Sequence, residues 1–360
     1  MGTNGVLKMT ASIDRQAAFS GVKPVAAALA LDAARLDAYL AAHLPDYGGP
    51  LGVRQFKGGQ SNPTYLIETP GRRYVLRRKP PGKLLPSAHA VDREFRVISE
   101  LHAQGFPVAQ PLLYCADESV AGTPFYLMSY VAGRVFWDPA LPSQSPEARH
   151  AIFKDKIETL AKLHTYDPQA IGLGEFGKPG NYFARQVDRW TKQYRASETK
   201  HIEEVEKLIE WLPRTVPQQE RVSIVHGDYR LDNMIFHATE PRVIAVLDWE
   251  LSTLGDPMAD FTYLLMQWTM PGLANADLAA LNIPSLEEAA QVYCNATGSA
   301  VPDLNWYFSY NLFRLACITQ GIAGRIRDGT AASAKAMESA ARTVPLSKAS
   351  WEYAQKAGAV

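Results

Sequence analysis

The sequence predicts an α+β chain in two lobes. A loose tail at 1–21 precedes a small antiparallel β-sheet lobe at 22–131, and a mainly helical lobe fills 132–360. Three observations carry this reading. Up to residue 131 the chain reads as short apolar and β-branched runs punctuated by turn residues. Beyond 132, apolar residues recur at helical spacing. Within that helical part, the stretch Ser223–Asn233 is echoed by a second, Val246–Glu250, and the rest of the chain is organised around the pair.

Length and composition set the bounds. With 360 residues the chain has room for about two domains. Hydrophobic residues make up 47%, too many for a disordered protein. Lys plus Arg number 37 and Asp plus Glu number 37, so no global charge points to nucleic acid or an anionic membrane. Cys115, Cys294 and Cys317 lie far apart without metal-ligand spacing, so reduced thiols in a cytoplasmic protein are expected. There is no run of about eighteen apolar residues and no N-terminal apolar region of the secretory kind, so a soluble protein is expected.

Taken in order, Asp32 is placed to cap a helix carrying Leu36, Tyr39, Leu40 and Leu44, which Pro45 and Gly48-Gly49-Pro50 end. Strands follow at Val53–Phe56, Thr64–Glu68 and Tyr74–Arg77. The first two are joined by Gly58-Gly59-Gln60-Ser61-Asn62. Such a loop reads either as a Gly-Gly hairpin turn or as a nucleotide-phosphate loop, because glycines allow close backbone approach and expose N–H donors. After the Pro-rich segment 80–89 comes a helix at Val91–Leu101, then a buried strand at Pro124–Val131.

The helical part opens with Ile152–Tyr166, in which His164 reads as structural. In Tyr182–Arg195, Arg185 and Arg189 share a face that reads as solvated or as an anion site. Asp256 and Pro257 carry a helix-start signature, with Asp260 in the first turn placed for dipole compensation. Asn305–Arg325 is the last strong helix, with Arg314 among its polar members.

Met234–His237 and Val243–Leu247 read as paired strands with a turn at Ala238–Arg242. An antiparallel hairpin there puts Asn233 and Asp248 at its open end, with Asp228 on the loop just before it. Three oxygen-bearing side chains are thus expected to converge. Phosphoryl transfer needs such a set, since catalysis there is mostly positioning and charge neutralisation. Asn233 and Asp248 would hold Mg²⁺, and Asp228 would accept the proton of the attacking hydroxyl.

His226-Gly227-Asp228, Asn233 and Leu247-Asp248-Trp249-Glu250 resemble the aminoglycoside phosphotransferase-like (choline kinase-type) family of small-molecule kinases. The resemblance implies the two-lobed protein-kinase-like fold, with ATP and Mg²⁺ as cofactors. It places Gly58, Gly59, Ser61 and Asn62 in the nucleotide loop, with Ser61 and Asn62 as its polar tip, and Arg77, or its neighbour Arg78, at the phosphates with Glu94 as partner. It also puts backbone groups at Ser129 and Val131 against the adenine, and makes Asp260 a buried brace for the catalytic loop. Trp249 and Glu250 depart from the Phe-Gly of protein kinases. Gly58–Tyr65, Leu76–Gly82 and Leu251–Pro257 look most like the branch fused to acyl-CoA dehydrogenases in animals. That likeness implies a hydroxyacyl-CoA or hydroxy acid as acceptor; the phosphates of coenzyme A would need basic partners, for which Arg185 and Arg314 are the candidates. Antibiotic phosphorylation and an inactive nucleotide-binding module are the alternatives.

Overall fold

The structure, a computed structural model, describes residues 20–58, 62–82, 89–178, 180–270, 273–330 and 336–360. The chain divides into two compact units. The first runs up to Ser143 and also takes Leu231–Glu240 and Ile244–Glu250. The second comprises Gln144–Arg230, Pro241–Val243 and Leu251–Val360. The sequence alone ends the first lobe at 131 and leaves both hairpin segments with the helices. Backbone pairing explains the difference. Arg134 and Phe236 exchange two hydrogen bonds of 2.8 Å, and the Arg134 guanidinium donates to the carbonyls of His237 and Glu240. Gly133 permits this approach, because a Cβ there would sit 2.3 Å from the Phe236 carbonyl oxygen.

In the first unit, β1 (Val22–Lys23), β2 (Gly52–Phe56), β3 (Thr64–Glu68), β4 (Arg73–Arg78), β5 (Pro111–Cys115) and β6 (Phe125–Ser129) form one sheet. Its six strands run antiparallel in the order β1-β2-β3-β4-β6-β5. Strand alternation sorts the side chains. Tyr65 and Ile67 of β3, Tyr74 and Leu76 of β4, and Phe125 and Leu127 of β6 pack with Leu36 and Leu40 of the helix Ala33–His43. Asp32 caps that helix by accepting from the Arg35 N–H at 3.0 Å. On the opposite face, β5 and β6 carry the helix Val91–Ala103, which buries Val91, Glu94, Val97, Ile98 and Leu101. With both faces covered, β4 buries five consecutive residues, including Arg77 and Arg78.

In the second unit, β7 (Ser223–Val225) pairs antiparallel with β10 (Thr253–Gly255). Between them in sequence, β8 (Met234–Phe236) and β9 (Val243–Val246) make the expected hairpin. The helix Asn305–Arg327 packs against Tyr182–Ser197 and Thr343–Lys356. Phe183 lies 4.9–5.4 Å from the rings of Trp306, Tyr307 and Tyr310, an aromatic core that fixes the helix pair. The helix Pro146–Thr165 starts earlier than apolar spacing suggests, because Ser145 caps it and Pro146 occupies its first turn.

That helix buries Lys156 completely, its ammonium group 3.9 Å from the Phe153 ring centroid and 2.7 Å from the Gln267 Oε1. Burial lowers the amine from 10.5 to about 7. A base depressed by folding contributes no penalty above its unfolded pKa, and stability falls as pH descends from 10.5 toward about 7. Lys156→Met is therefore expected to stabilise the protein by about 2–4 kcal/mol near neutral pH and below, part of the burial penalty being offset by the ring contacts. Thermal melts should show this advantage shrinking toward about pH 10. An advantage that stays constant across this range would exclude a buried titrating amine.

Candidate active site

In the second unit, β7 delivers His226-Gly227-Asp228 to a loop whose backbone is held by one carboxylate. Asp260, 1% exposed, accepts from the N–H of His226 at 2.5 Å and of Gly227 at 2.8 Å. Asp260 is thus the buried brace rather than a simple dipole partner. Burial pushes its carboxyl up. The hydrogen bond and charge of His164 and the loop N–H groups outweigh that and leave it below the usual carboxylate range. His164 Nε2 stands 3.5 Å from Asp260, and its Nδ1 lies 2.7 Å from the Tyr293 hydroxyl. Burial pushes the imidazole below its ordinary value, while its contact with the Asp260 carboxylate opposes that shift. Asp256 accepts from the Met258 N–H at 2.9 Å and so starts the helix Met258–Leu265 that carries Asp260.

Gly227 adopts φ 85°, and a Cβ there would meet the Leu251 Cβ and carbonyl oxygen at 2.9 Å. Only glycine fits both constraints. Its carbonyl accepts from Arg314 Nη2 at 2.7 Å. The next residue, Asp228, presents a half-buried carboxylate: Tyr263 donates its hydroxyl to Oδ1 at 3.1 Å, and Arg230 Nε lies 3.2 Å from Oδ2. Burial first, and then the Asp228 charge, push the Tyr263 phenol up to about 12, so it remains a donor at neutral pH.

The first unit holds the other half of the expected constellation. Leu247 donates its N–H to the Asn233 carbonyl at 2.8 Å, which pairs Asn233 with the residue before Asp248 at the hairpin mouth. Asp248 takes φ 65°, a left-handed conformation that a non-glycine residue adopts only when its surroundings require it. Arg77, 7% exposed, supplies that requirement. Its Nη2 is 2.5 Å from Asp248 and 3.5 Å from Glu250, and its Nε is 2.8 Å from Glu94. Burial opposes the guanidinium charge, and the three carboxylates hold its pKa above the ordinary arginine value. Arg78 points the other way, to the Tyr65 hydroxyl and the carbonyls of Leu29 and Ala121. Of the two arginines, Arg77 therefore carries the polar cluster. Asp228 itself belongs to the second unit.

Glu94 is the hub of a buried network. It accepts from Asn62 Nδ2 at 2.7 Å and from the Tyr126 hydroxyl at 3.1 Å, and His89 Nδ1 lies 2.9 Å from Asn62 Oδ1. Asn62 is fully buried, so it anchors the strand-joining loop instead of forming its exposed tip. Gly58 closes β2 in a bend, while Gly59 and Ser61 lie outside the described residues, as do 83–88 of the Pro-rich segment. The Ser129 N–H already donates to the Gln110 carbonyl at 2.9 Å, so this donor is not free for adenine. Val131 has no hydrogen-bond partner among the described residues, which leaves its N–H and carbonyl for that role.

The predicted substrate arginines find backbone partners. Arg185 Nη1 donates to the Gly180 carbonyl at 2.6 Å, and Arg314 to Gly227. Arg230, Tyr263 and Glu250 are site residues that sequence reasoning left without a role. A charge two residues after a candidate base, and two after a candidate metal ligand, was a readable signal for Arg230 and Glu250. Tyr263 had none, since a tyrosine in an apolar helix reads as core. Hard-cation chemistry fits Asn233, Asp248 and Glu250, all oxygen donors at one hairpin mouth. Glu198, His201 and Glu206 also offer ligand atoms within 4.8 Å of one another. There Arg195 already neutralises Glu198 and Glu206, so that cluster reads as a surface ion-pair network.

Comparison with known proteins gives this geometry a context. Residues 52–292 match the family model described as "Phosphotransferase enzyme family". Mouse acyl-CoA dehydrogenase family member 10 is 45% identical over 345 residues, 93% of this chain and 32% of its own length. Human acyl-CoA dehydrogenase family member 11 is 43% identical over 306 residues, 82% of this chain and 39% of its own. The chain thus spans about a third to two-fifths of these relatives. A crystal structure from Ralstonia eutropha JMP134, provisionally named an aminoglycoside phosphotransferase, superposes with a TM-score of 0.84 at 49% identity. That match covers 91% of this chain and 99% of that one. A spectinomycin phosphotransferase solved with ADP and spectinomycin shares the fold alone, with a TM-score of 0.61 at 14% identity over 90% of this chain and 99% of that one. With its sheet, its braced His226-Gly227-Asp228 loop and its Asn233–Asp248 hairpin mouth, the chain belongs to the phosphotransferase enzyme family.

Proposed function

We propose that the chain transfers the γ-phosphate of ATP to the hydroxyl of a small molecule, with Asp228 as proton acceptor. The observation that carries this reading is the state of Asp228. Its carboxylate is oriented by Tyr263 on a loop that Asp260 holds by two backbone N–H groups, the preparation a general base needs. Asn233 and Asp248, with Glu250 beside them, would hold Mg²⁺, which when bound neutralises phosphate charge. Arg77 now balances Asp248 and Glu250, and would keep the nucleotide side electrostatically ordered before phosphates arrive. Among the described residues the Val131 backbone has no partner and can take an adenine edge, and a spectinomycin phosphotransferase of the same fold, solved with ADP, supports a nucleotide.

For the acceptor we propose a hydroxyacyl-CoA or hydroxy acid, which the relatives' names support. Charge agrees. Arg230 lies half-exposed beside Asp228, where a polycationic aminoglycoside would meet repulsion. The test is an acceptor screen with Mg·ATP over hydroxyacyl-CoA esters, free hydroxy acids, aminoglycosides, choline and sugar alcohols. Phosphorylation of the acyl series is expected. Turnover of aminoglycosides alone would reverse the acceptor assignment.

Two variants probe the two halves of the machinery. Asp228→Asn should lower turnover by about 10²–10⁴-fold and leave Mg·ATP affinity intact. Near-normal turnover would remove Asp228 from the mechanism. Asp248→Ala should abolish the Mg²⁺ dependence of ATP binding, with Asn233→Ala weakening it less, because a neutral amide contributes only a dipole. Calorimetry giving unchanged Mg·ATP affinity for Asp248→Ala would contradict a metal role at the hairpin mouth.

A further inference from the structure

We infer that Arg314 is a positioning residue that aims Asp228 through the Gly227 peptide and Tyr263, rather than an anchor for the acceptor. The inference rests on the phosphotransferase reading for its catalytic meaning, but its geometry stands independently. Arg314 lies at mid-length in the helix Asn305–Arg327, and its guanidinium is fixed on two sides by aromatic rings. Its central carbon is 5.7 Å from the Trp190 ring centroid and 5.2 Å from that of Tyr263. These are cation–π distances, and they leave the planar group little rotational freedom.

What this rigid group holds is the residue before the proposed base. Nη2 donates to the Gly227 carbonyl at 2.7 Å, while the Gly227 N–H is taken by Asp260 at 2.8 Å. Gly227 is therefore gripped at both its polar backbone atoms by opposite charges. A glycine at φ 85° has more conformations to lose than any other residue, so such a grip matters most there. Tyr263 completes the link, since the same ring that faces Arg314 donates its hydroxyl to Asp228 Oδ1. Arg314 thus acts on Asp228 along two routes, one through the peptide and one through the phenol. An acceptor anchor has different requirements: a fork aimed at the ligand, with its backbone neighbour irrelevant.

The two roles separate kinetically. Arg314→Ala should lower kcat by about 10- to 100-fold, the usual weight of a charge-assisted hydrogen bond, with KM for acceptor and ATP little changed. Guanidinium chloride at millimolar concentration should refill the slot between Trp190 and Tyr263 and restore part of kcat, whereas NaCl at equal ionic strength should not. Tyr263→Phe, which keeps the ring, should also lower kcat, and the double variant should lose less than the product of the two. A raised acceptor KM with kcat intact would overturn the inference and make Arg314 a substrate anchor. Hydrogen exchange of the peptide covering 223–230 needs no acceptor. Arg314→Ala should speed exchange at Gly227 and Asp228, and guanidinium should slow it again. Unchanged exchange would overturn the inference even if the wild-type protein phosphorylated nothing, whereas a wild type without transferase activity and with the expected exchange would count against the phosphotransferase reading alone.

Discussion

A carboxylate with 1% of its surface exposed is costly unless it is hydrogen-bonded and paired, and Asp260 takes one backbone N–H on each of its oxygens. Much of the second unit's architecture serves this contact. Asp256 starts the helix that presents Asp260, and His164 faces it with Tyr293 behind. Ser223 and Arg221 donate to the His164 carbonyl, tying the strand before the loop to the helix that carries the histidine. Tyr229, one residue past the proposed base, donates to the Lys156 carbonyl at 2.8 Å. The loop is therefore fastened on both sides of Asp228, and only the Asp228 and Arg230 side chains retain appreciable exposure.

The first unit shows the complementary strategy. There a buried cation, Arg77, gathers three carboxylates from two separate stretches of chain, Glu94 from one and Asp248 with Glu250 from the other. A buried arginine tolerates this because its planar fork meets several carboxylates at once and stays charged throughout. Glu94 in turn fixes Asn62 and Tyr126, so the loop after β2, the central strand β4 and the hairpin mouth share one polar network. Removing Arg77 would leave the buried Glu94 carboxylate uncompensated, which costs far more than the pair itself contributes.

Much of this was legible in the sequence. β3, β8 and β9, the Asp32 cap and the Asn233–Asp248 hairpin mouth follow from period-two alternation, turn residues and spacing. Other features were not. β5 is a short apolar run, Pro-Leu-Leu-Tyr-Cys, without alternation, and a strand of that kind looks like any buried segment. The helix Glu203–Arg214 carries Val205, Leu208 and Leu212 at helical spacing, but Pro213 inside its last turn reads as a break. Asn62 looked like a loop tip because polar residues beside glycines usually are, and its burial depends on Glu94, 32 residues away. The return of the hairpin segments to the first unit depends likewise on the Arg134–Phe236 pairing, a contact no local pattern encodes.

The most direct measurement of the central claim, that Asp260 holds the loop carrying the proposed base, is amide hydrogen exchange at His226 and Gly227 by NMR. In the wild-type protein both amides should be protected to near the level of global unfolding. In Asp260→Asn, exchange at these two sites should rise by about 10- to 100-fold beyond any change in the surrounding core, since one ionic acceptor is replaced by a weaker one. Rapid exchange of either amide in the wild type, or equal protection in the variant, would contradict the claim.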